Sequence, residues 1–204
     1  MEIIVLALFY MLSGFLMKFS DDAYDEMGNK KLAAIVGIIC GLCIGFLVVN
    51  SVDATYIFFA ILLGTLFSKK IDGVHHILTL ATFVLVAFIY GFPQISILTL
   101  IICSIAAFID EIGNDNQKLI EKNHFLEVFF RYRFAMKITI FSLAFLGLYQ
   151  SLTGFDMLNM EFLSFSAFFL FILFEISYEF TGRYFERSYN WIKNYFLTKN
   201  IFIE

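Results

Sequence analysis

The chain has 204 residues, of which 60% are hydrophobic and only 16% are charged, and its formal net charge is −4. Soluble domains carry about 25% charged residues, so this composition excludes an ordinary soluble domain and indicates a polytopic membrane protein. Lysine and arginine are no denser than membrane interfaces require, which argues against a nucleic-acid partner.

Apolar stretches of about 17–25 residues are typical of membrane-spanning helices. In chain order, seven stretches are predicted to span: 2–19, 32–50, 54–68, 75–91, 94–110, 135–151 and 161–181. Pro93 marks a turn between the fourth and the fifth, because proline lacks a backbone donor. No small-residue cleavage site follows the first stretch, so we expect that helix to be retained.

Two further segments have a different character. Residues 110–134 are polar and then amphipathic, which predicts a helix that lies along the membrane interface. Residues 183–204 combine basic and aromatic side chains and predict a second interfacial helix. The predicted fold class is therefore all-α: a membrane-spanning helical bundle over residues 1–182, followed by an interfacial C-terminal helix over 183–204.

The basic residues predict the orientation of this bundle. All 14 lysines and arginines fall in or beside the first, third and fifth predicted loops or in the C-terminal tail. The loops near 51–53, 91–94 and 151–160 hold none. Because basic residues accumulate on the cytoplasmic side, we predict a cell-membrane protein with its N-terminus outside and its C-terminus inside.

Two nearly identical acidic phrases lie on the predicted cytoplasmic side, Asp-Glu-Met-Gly-Asn at 25–29 and Asp-Glu-Ile-Gly-Asn at 110–114. Each follows a predicted span, and four spans separate them, which suggests a parallel internal duplication as a hypothesis. Carboxylates crowded at the end of an apolar helix repel one another unless a cation binds between them.

The helical spacing around these phrases predicts a magnesium site. Mg²⁺ takes oxygen ligands, commonly one or two carboxylates together with water and substrate phosphates. The principal predicted ligands are Asp21, Asp22, Asp25 and Asp110. A second group consists of Asn29, Glu111, Asn114 and Asp115. The alternative interpretation is a solvated acidic loop that only ends a helix.

These motifs resemble the Asp-rich motifs of the UbiA superfamily of intramembrane prenyltransferases. The first family motif reads roughly N-D-x-x-D-x-x-x-D, and residues 21–29 keep its spacing with Asp at the first position and Asn at the last. The second reads roughly D-x-x-x-D-x-x-G-D, and residues 110–114 match its latter half, whereas Ala106 replaces its first Asp. The family usually has more helices, so this chain would be a reduced member.

The resemblance implies a helical bundle with a central cavity beneath two acidic loops. It also implies an isoprenoid substrate whose diphosphate departs with the help of Mg²⁺, leaving an allylic carbocation for an acceptor to trap. Aromatic side chains suit such a cation through cation–π attraction.

Other polar residues are weaker candidates. Five basic residues near the acidic phrases are candidate phosphate ligands, although cytoplasmic location alone explains them. They are Lys30, Lys118, Lys122, Arg131 and Arg133. Glu175, near membrane depth in the last span, is a candidate cavity carboxylate. His75 and His76 offer metal-ligand chemistry, but adjacent residues on a helix point in different directions, which favours a simple interfacial placement.

The sequence therefore predicts a membrane enzyme with Mg²⁺-dependent, prenyltransferase-like handling of an isoprenoid diphosphate or a related lipid phosphate. Two alternatives stay open: a cation channel or transporter with an acidic cytoplasmic site, and a non-catalytic membrane scaffold. The donor, the acceptor, any catalytic side chain and the oligomeric state also stay open.

Overall fold

The computed structural model describes residues 2–69, 71, 73–154 and 160–197, without the side chains of 195–197. All regular structure in these ranges is α-helical, which confirms the predicted all-α class. The helices are α1 (Ile3–Asp25), α2 (Lys30–Asn50), α3 (Val52–Phe67), α4 (Val74–Tyr90), α5 (Ile97–Asp115), α6 (Gln117–Ile120), α7 (His124–Arg131), α8 (Phe134–Thr153), α9 (Phe165–Arg183) and α10 (Phe185–Leu197).

Five helices, α1, α2, α5, α8 and α9, are long and apolar enough to cross a membrane. Helices α3 and α4 are also apolar but shorter, with 16 and 17 residues. These seven helices overlap the seven predicted stretches one for one. The outer surface is strongly apolar, since Phe88 is 86% exposed, Leu152 77% and Ile97 74%. Such a surface suits a lipid environment, because soluble proteins rarely expose large apolar patches.

Six of these helices form a ring. Helix α1 packs between α2 and α9, α2 contacts α3, α3 contacts α5, and α8 joins α5 to α9. The middle of the ring is filled by aromatic side chains that are almost fully buried. The Tyr10 and Phe58 ring centroids are 5.4 Å apart, and those of Phe58 and Phe174 are 5.6 Å apart. The bundle is thus closed at mid-depth.

Helix α4 packs mainly along α2, and a row of glycines permits the close approach. A Cβ added at Gly37 would lie 2.8 Å from the backbone oxygen of His75, and one at Gly41 would lie 2.5 Å from that of Thr79. Gly45 meets the side chain of Val86 in the same way. Small residues at helical spacing let two membrane helices pack backbone to backbone. This packing also holds the first turn of α4, which contains His75, close to α2.

Several helices extend beyond the predicted spans. Helix α1 continues to Asp25 and α5 continues to Asp115, so the acidic residues belong to helices instead of loops. Helices α7 and α10 confirm that the two amphipathic segments are helical; residues 198–204 of the predicted tail lie outside the described residues. Around Pro93 the chain is non-helical, as predicted.

Candidate functional site

The two acidic phrases have similar letters but different local structures. The first leaves the helix: α1 ends at Asp25, and Gly28 adopts a left-handed backbone with φ of 63°. The second stays within α5, where Gly113 is buried and a Cβ added there would lie 2.0 Å from the Phe130 ring. One glycine is thus needed for its backbone angle and the other for the close approach of α7.

The phrases nevertheless meet at one end of the bundle, through Tyr178 of α9 and Arg133 at the start of α8. The Tyr178 hydroxyl donates a hydrogen bond to Asp21 Oδ2 over 3.2 Å. The Arg133 guanidinium lies 5.2 Å from the centroid of the Tyr178 ring and 3.5 Å from Glu111 Oε1. A continuous set of polar contacts therefore joins Asp21, beside the first phrase, to Glu111 of the second.

A buried ion pair completes this group. Lys137 Nζ of α8 lies 2.8 Å from Glu175 Oε2 of α9, and the lysine also donates to the backbone oxygen of Tyr132. We call the group formed by Asp21, Glu111, Arg133, Lys137, Glu175 and Tyr178 the polar cluster. Its two cations offset two of its three carboxylates, and a buried charge is costly without such a partner.

The charge of Arg133 is fixed by this setting. Burial alone would lower the pKa of its guanidinium, but the oxygens around it, chiefly those of Tyr178 and Glu111, raise the pKa above its ordinary value. Arg133 therefore carries its positive charge at neutral pH.

The remaining acidic residues near the end of α1 are placed differently from one another. Asp22 is 4% exposed; its Oδ1 accepts from Lys18 Nζ over 2.7 Å, whereas its Oδ2 is buried and has no hydrogen-bond partner among the described residues. Asp25 is exposed. Asn29 caps α2, since its side-chain oxygen accepts from the Leu32 backbone N–H. Of these three residues, Asp22 is the one with a buried acceptor oxygen that has no hydrogen-bond partner among the described residues.

Asp110 has a structural role that its sequence pattern does not indicate. Its two carboxylate oxygens accept from the backbone N–H groups of Ala135 and Met136, over 3.0 and 2.7 Å. These are free donors at the N-terminus of α8, and Arg133 at the N-cap position supplies no side-chain cap of its own. Asp110 therefore caps α8 from across the bundle. Asn114 and Asp115 lie exposed in the last turn of α5.

The five predicted phosphate ligands separate into one cluster residue and four surface residues. Arg133 belongs to the polar cluster. Lys30, Lys118 and Lys122 are exposed, and Arg131 on α7 lies 3.4 Å from Glu127. Glu175, the predicted cavity carboxylate, is 4% exposed and holds Lys137. Sequence reasoning placed Lys137 only as a topology residue, although a lysine inside an apolar span is itself a signal of a buried partner.

The donor set at this end fits Mg²⁺ in part. Asp21 and Asp22, with its buried unpartnered oxygen, supply carboxylates of the kind that Mg²⁺ prefers, and exposed Asp25 lies one turn further along the helix. Neither Asp22 nor Asp25 belongs to the group of three closely spaced ligand atoms found in the described residues, which contains Asp21. The oxygens of Asp110 are already engaged by backbone donors. The carboxylates that could hold Mg²⁺ are therefore those of α1.

A cavity of about 800 Å³ lies at the other end of the bundle, where α3 and α9 begin and α8 ends. Asp53 and Glu161 are its charged lining residues. None of the predicted site residues, all of which the structure describes, lines this cavity. It differs from the central cavity that the family resemblance implies, because aromatic side chains fill the middle of the ring.

In its described residues the chain is thus an all-α protein with five helices that are long and apolar enough to cross a membrane, and with buried charge at one end of the bundle. No known family profile, curated protein or solved structure matches this chain.

Proposed function

We propose that this protein is an integral membrane protein that binds an isoprenoid diphosphate or a related lipid phosphate together with Mg²⁺. In this proposal all seven apolar helices span, the N-terminus lies outside, and the polar cluster lies at the cytoplasmic end. The observation that carries it is the meeting of Asp21 and Glu111 around Tyr178 and Arg133. Two distant acidic segments with a fixed arginine between them suit a ligand that carries both phosphate and metal.

Each element of the site has a distinct role in this proposal. Asp21 and Asp22 hold the metal, and Arg133 contacts phosphate oxygens, which guanidinium groups bind in a bidentate manner. Glu111 orients the Arg133 guanidinium, and Asp110 fixes the backbone beside it by capping α8. When bound, Mg²⁺ neutralises phosphate charge and so favours departure of a diphosphate.

The isoprenoid chain would lie along α8 in the bilayer, since the centre of the ring is filled. Phe141 and Phe145 follow Lys137 by one and two turns, and both rings are substantially exposed, at 44% and 55%. They form an apolar wall that leads from the polar cluster toward the middle of the membrane. Such a route needs no central cavity.

The test is binding of radiolabelled geranylgeranyl diphosphate to the protein in lipid nanodiscs, with Mg²⁺ or with EDTA. We expect Mg²⁺-dependent binding by the wild type and release of diphosphate when an acceptor is present. Arg133→Gln should weaken binding about tenfold or more, because a hydrogen bond to a charged group is worth about 1.5–3 kcal/mol. Arg131→Gln is the matched control, since Arg131 is an exposed arginine on α7.

Two outcomes would overturn the proposal. One is wild-type binding that is absent or indifferent to Mg²⁺, and the other is equal affinity of the Arg133→Gln and Arg131→Gln proteins. A second variant, Asp22→Asn, tests the metal separately. It should reduce the effect of Mg²⁺ without affecting the contact between Arg133 and Glu111.

A cation channel or transporter is the second candidate, favoured by the buried charges of the polar cluster. Ionisable side chains at membrane depth commonly mark ion pathways. The filled centre around Phe58 opposes an open pore. Cation flux into liposomes that disappears in Asp21→Asn, without any lipid-phosphate binding, would favour this second function.

A further inference from the structure

Two histidines at the start of α4 face the same carboxylate. His75 Nε2 lies 3.4 Å from Asp21 Oδ1, and His76 Nδ1 lies 3.7 Å from the same oxygen. One ligand atom from each of the three residues lies within 4.8 Å of the others. Adjacent residues on a helix diverge by about 100°. Both rings nevertheless reach Asp21, because this residue at the end of α1 lies between them.

The burial of His75 is the second observation. Its side chain is 2% exposed, and neither ring nitrogen has a hydrogen-bond partner among the described residues. A buried polar group without a partner is costly, and each such group in a folded protein calls for an explanation. Here the Nε2 atom points toward Asp21 at a distance longer than that of a good hydrogen bond.

The surroundings hold the His75 ring in this position. A Cβ added at Gly73 would lie 2.3 Å from His75 Cε1, so the ring folds back over a residue without a side chain. The Tyr24 ring packs on the other side with centroids 4.6 Å apart, and the His76 ring lies 4.1 Å away. The imidazole is therefore fixed by packing, although its nitrogens are left without hydrogen bonds.

We propose that Asp21, His75 and His76 form a three-ligand site for a first-row divalent transition metal of the Zn²⁺ type. Zn–N and Zn–O bonds of about 2.0–2.2 Å in tetrahedral geometry separate neighbouring ligand atoms by about 3.3–3.6 Å. Of the two distances from Asp21, 3.4 Å lies within this range and 3.7 Å lies just above it. Two imidazoles and one carboxylate are a donor set that selects transition metals over Mg²⁺.

The contacts around Asp21 support this assignment. Its second oxygen, Oδ2, accepts a hydrogen bond from Tyr178, which leaves Oδ1 directed toward the histidines. Ligating carboxylates commonly have such a partner, which fixes their orientation. With three protein ligands, a fourth position stays open for water or for an oxygen of a bound ligand.

This site shares Asp21 with the proposed lipid-phosphate function, but His75 and His76 have no role in that function. A transition metal can bind here whether or not a diphosphate binds beside Arg133. The metal-free explanation is an ion pair between Asp21 and a protonated histidine. That explanation predicts no specific metal affinity.

The experiment is a Co²⁺ titration of EDTA-treated protein that carries no polyhistidine tag, in nanodiscs and without any prenyl diphosphate. We expect one Co²⁺ per chain, with visible absorption typical of a four-coordinate site and displacement by Zn²⁺ but not by Mg²⁺. His76→Gln and His75→Gln should each weaken binding more than tenfold, since even changes around metal ligands cost 10–100-fold. His124→Gln is the matched control, because His124 is the third histidine and is exposed on α7.

Absence of a saturable Co²⁺ band in the wild type would overturn the site, as would equal affinity of the His76→Gln and His124→Gln proteins. His76 is half-exposed, so its substitution tests the site even if the His75 variant fails to fold. Failure of prenyl diphosphate binding with Co²⁺ binding intact would reject the proposed function alone.

Discussion

Asp110 caps α8, and the change in stability when Asp110 is substituted distinguishes two explanations of the acidic phrases. The two explanations predict changes of opposite sign. If Asp110 serves mainly to cap the helix, its removal destabilises the protein with or without metal. If it is mainly one of several repelling metal ligands, then Asp110→Asn relieves repulsion and stabilises the metal-free protein. The structure supports the first outcome, because both oxygens accept backbone hydrogen bonds.

The magnitude follows from the two contacts. Loss of an N-cap costs about 0.5–2 kcal/mol, and hydrogen bonds to a charged group contribute about 1.5–3 kcal/mol each. Asp110 is 2% exposed, so water replaces these bonds poorly. We therefore expect Asp110→Ala to lower the free energy of unfolding by about 2–4 kcal/mol. Asp110→Asn keeps one acceptor oxygen without the charge and should cost about half as much.

The chain provides its own probe for this measurement. Its three cysteines are all free and buried: Cys40 and Cys103 are 0% exposed and Cys43 is 7% exposed. A thiol-reactive fluorescent dye should thus label the protein only as it unfolds, and a thermal ramp gives the midpoint. At about 2–4 °C per kcal/mol, Asp110→Ala should lower the midpoint by roughly 5–15 °C.

Asp115→Asn is the control, since Asp115 is exposed in the last turn of α5 and surface substitutions usually change stability by less than about 0.5 kcal/mol. The reasoning fails if Asp110→Asn melts above the wild type in EDTA. It also fails if Asp110→Ala and Asp115→Asn melt at the same temperature.

Two further predictions use the same assay. Lys137→Met should destabilise the protein by about 3–5 kcal/mol, because it leaves Glu175 buried without its cation. Adding Glu175→Gln should restore part of the loss. A double variant whose loss equals the sum of the two single losses would contradict a direct pair. Gly113→Ala should lower the midpoint through a clash with the Phe130 ring, and Phe130→Ala should suppress that loss. Gly28→Asn should be tolerated, because space is open there and asparagine accepts a left-handed backbone; a midpoint as low as that of Gly113→Ala would refute this distinction.

The helices themselves could be predicted from the sequence. Long apolar stretches, one proline and two amphipathic segments indicated the helices that the structure shows, with errors of a few residues at the ends. The apolar pattern predicts ends for α1 and α5 that fall before Asp25 and Asp115, because polar residues resemble the end of an apolar helix. Asn29 and Asn116, whose side chains cap the next helices, mark the boundaries better.

The partners of the site residues could not be predicted. Whether Asp110 meets a cation or the backbone of α8 depends on how α5 packs against α8, and periodicity within one helix contains no such information. The same holds for His75 and His76, where helical geometry alone argued for divergence. Their convergence depends on Asp21, which belongs to another helix, α1. Helix α2 packs against both α1 and α4 and so brings Asp21 near the two histidines.

The two acidic phrases therefore have different structural roles despite their similar sequences. In the second, Asp110 and Glu111 are turned inward and hold the start of α8 and the Arg133 guanidinium. Beside the first, Asp21 and Asp22 keep oxygens that face histidines or lack a hydrogen bond. Because a carboxylate already engaged by backbone donors loses those bonds if it binds a metal, the proposed metal sites suit the carboxylates of α1 better than Asp110.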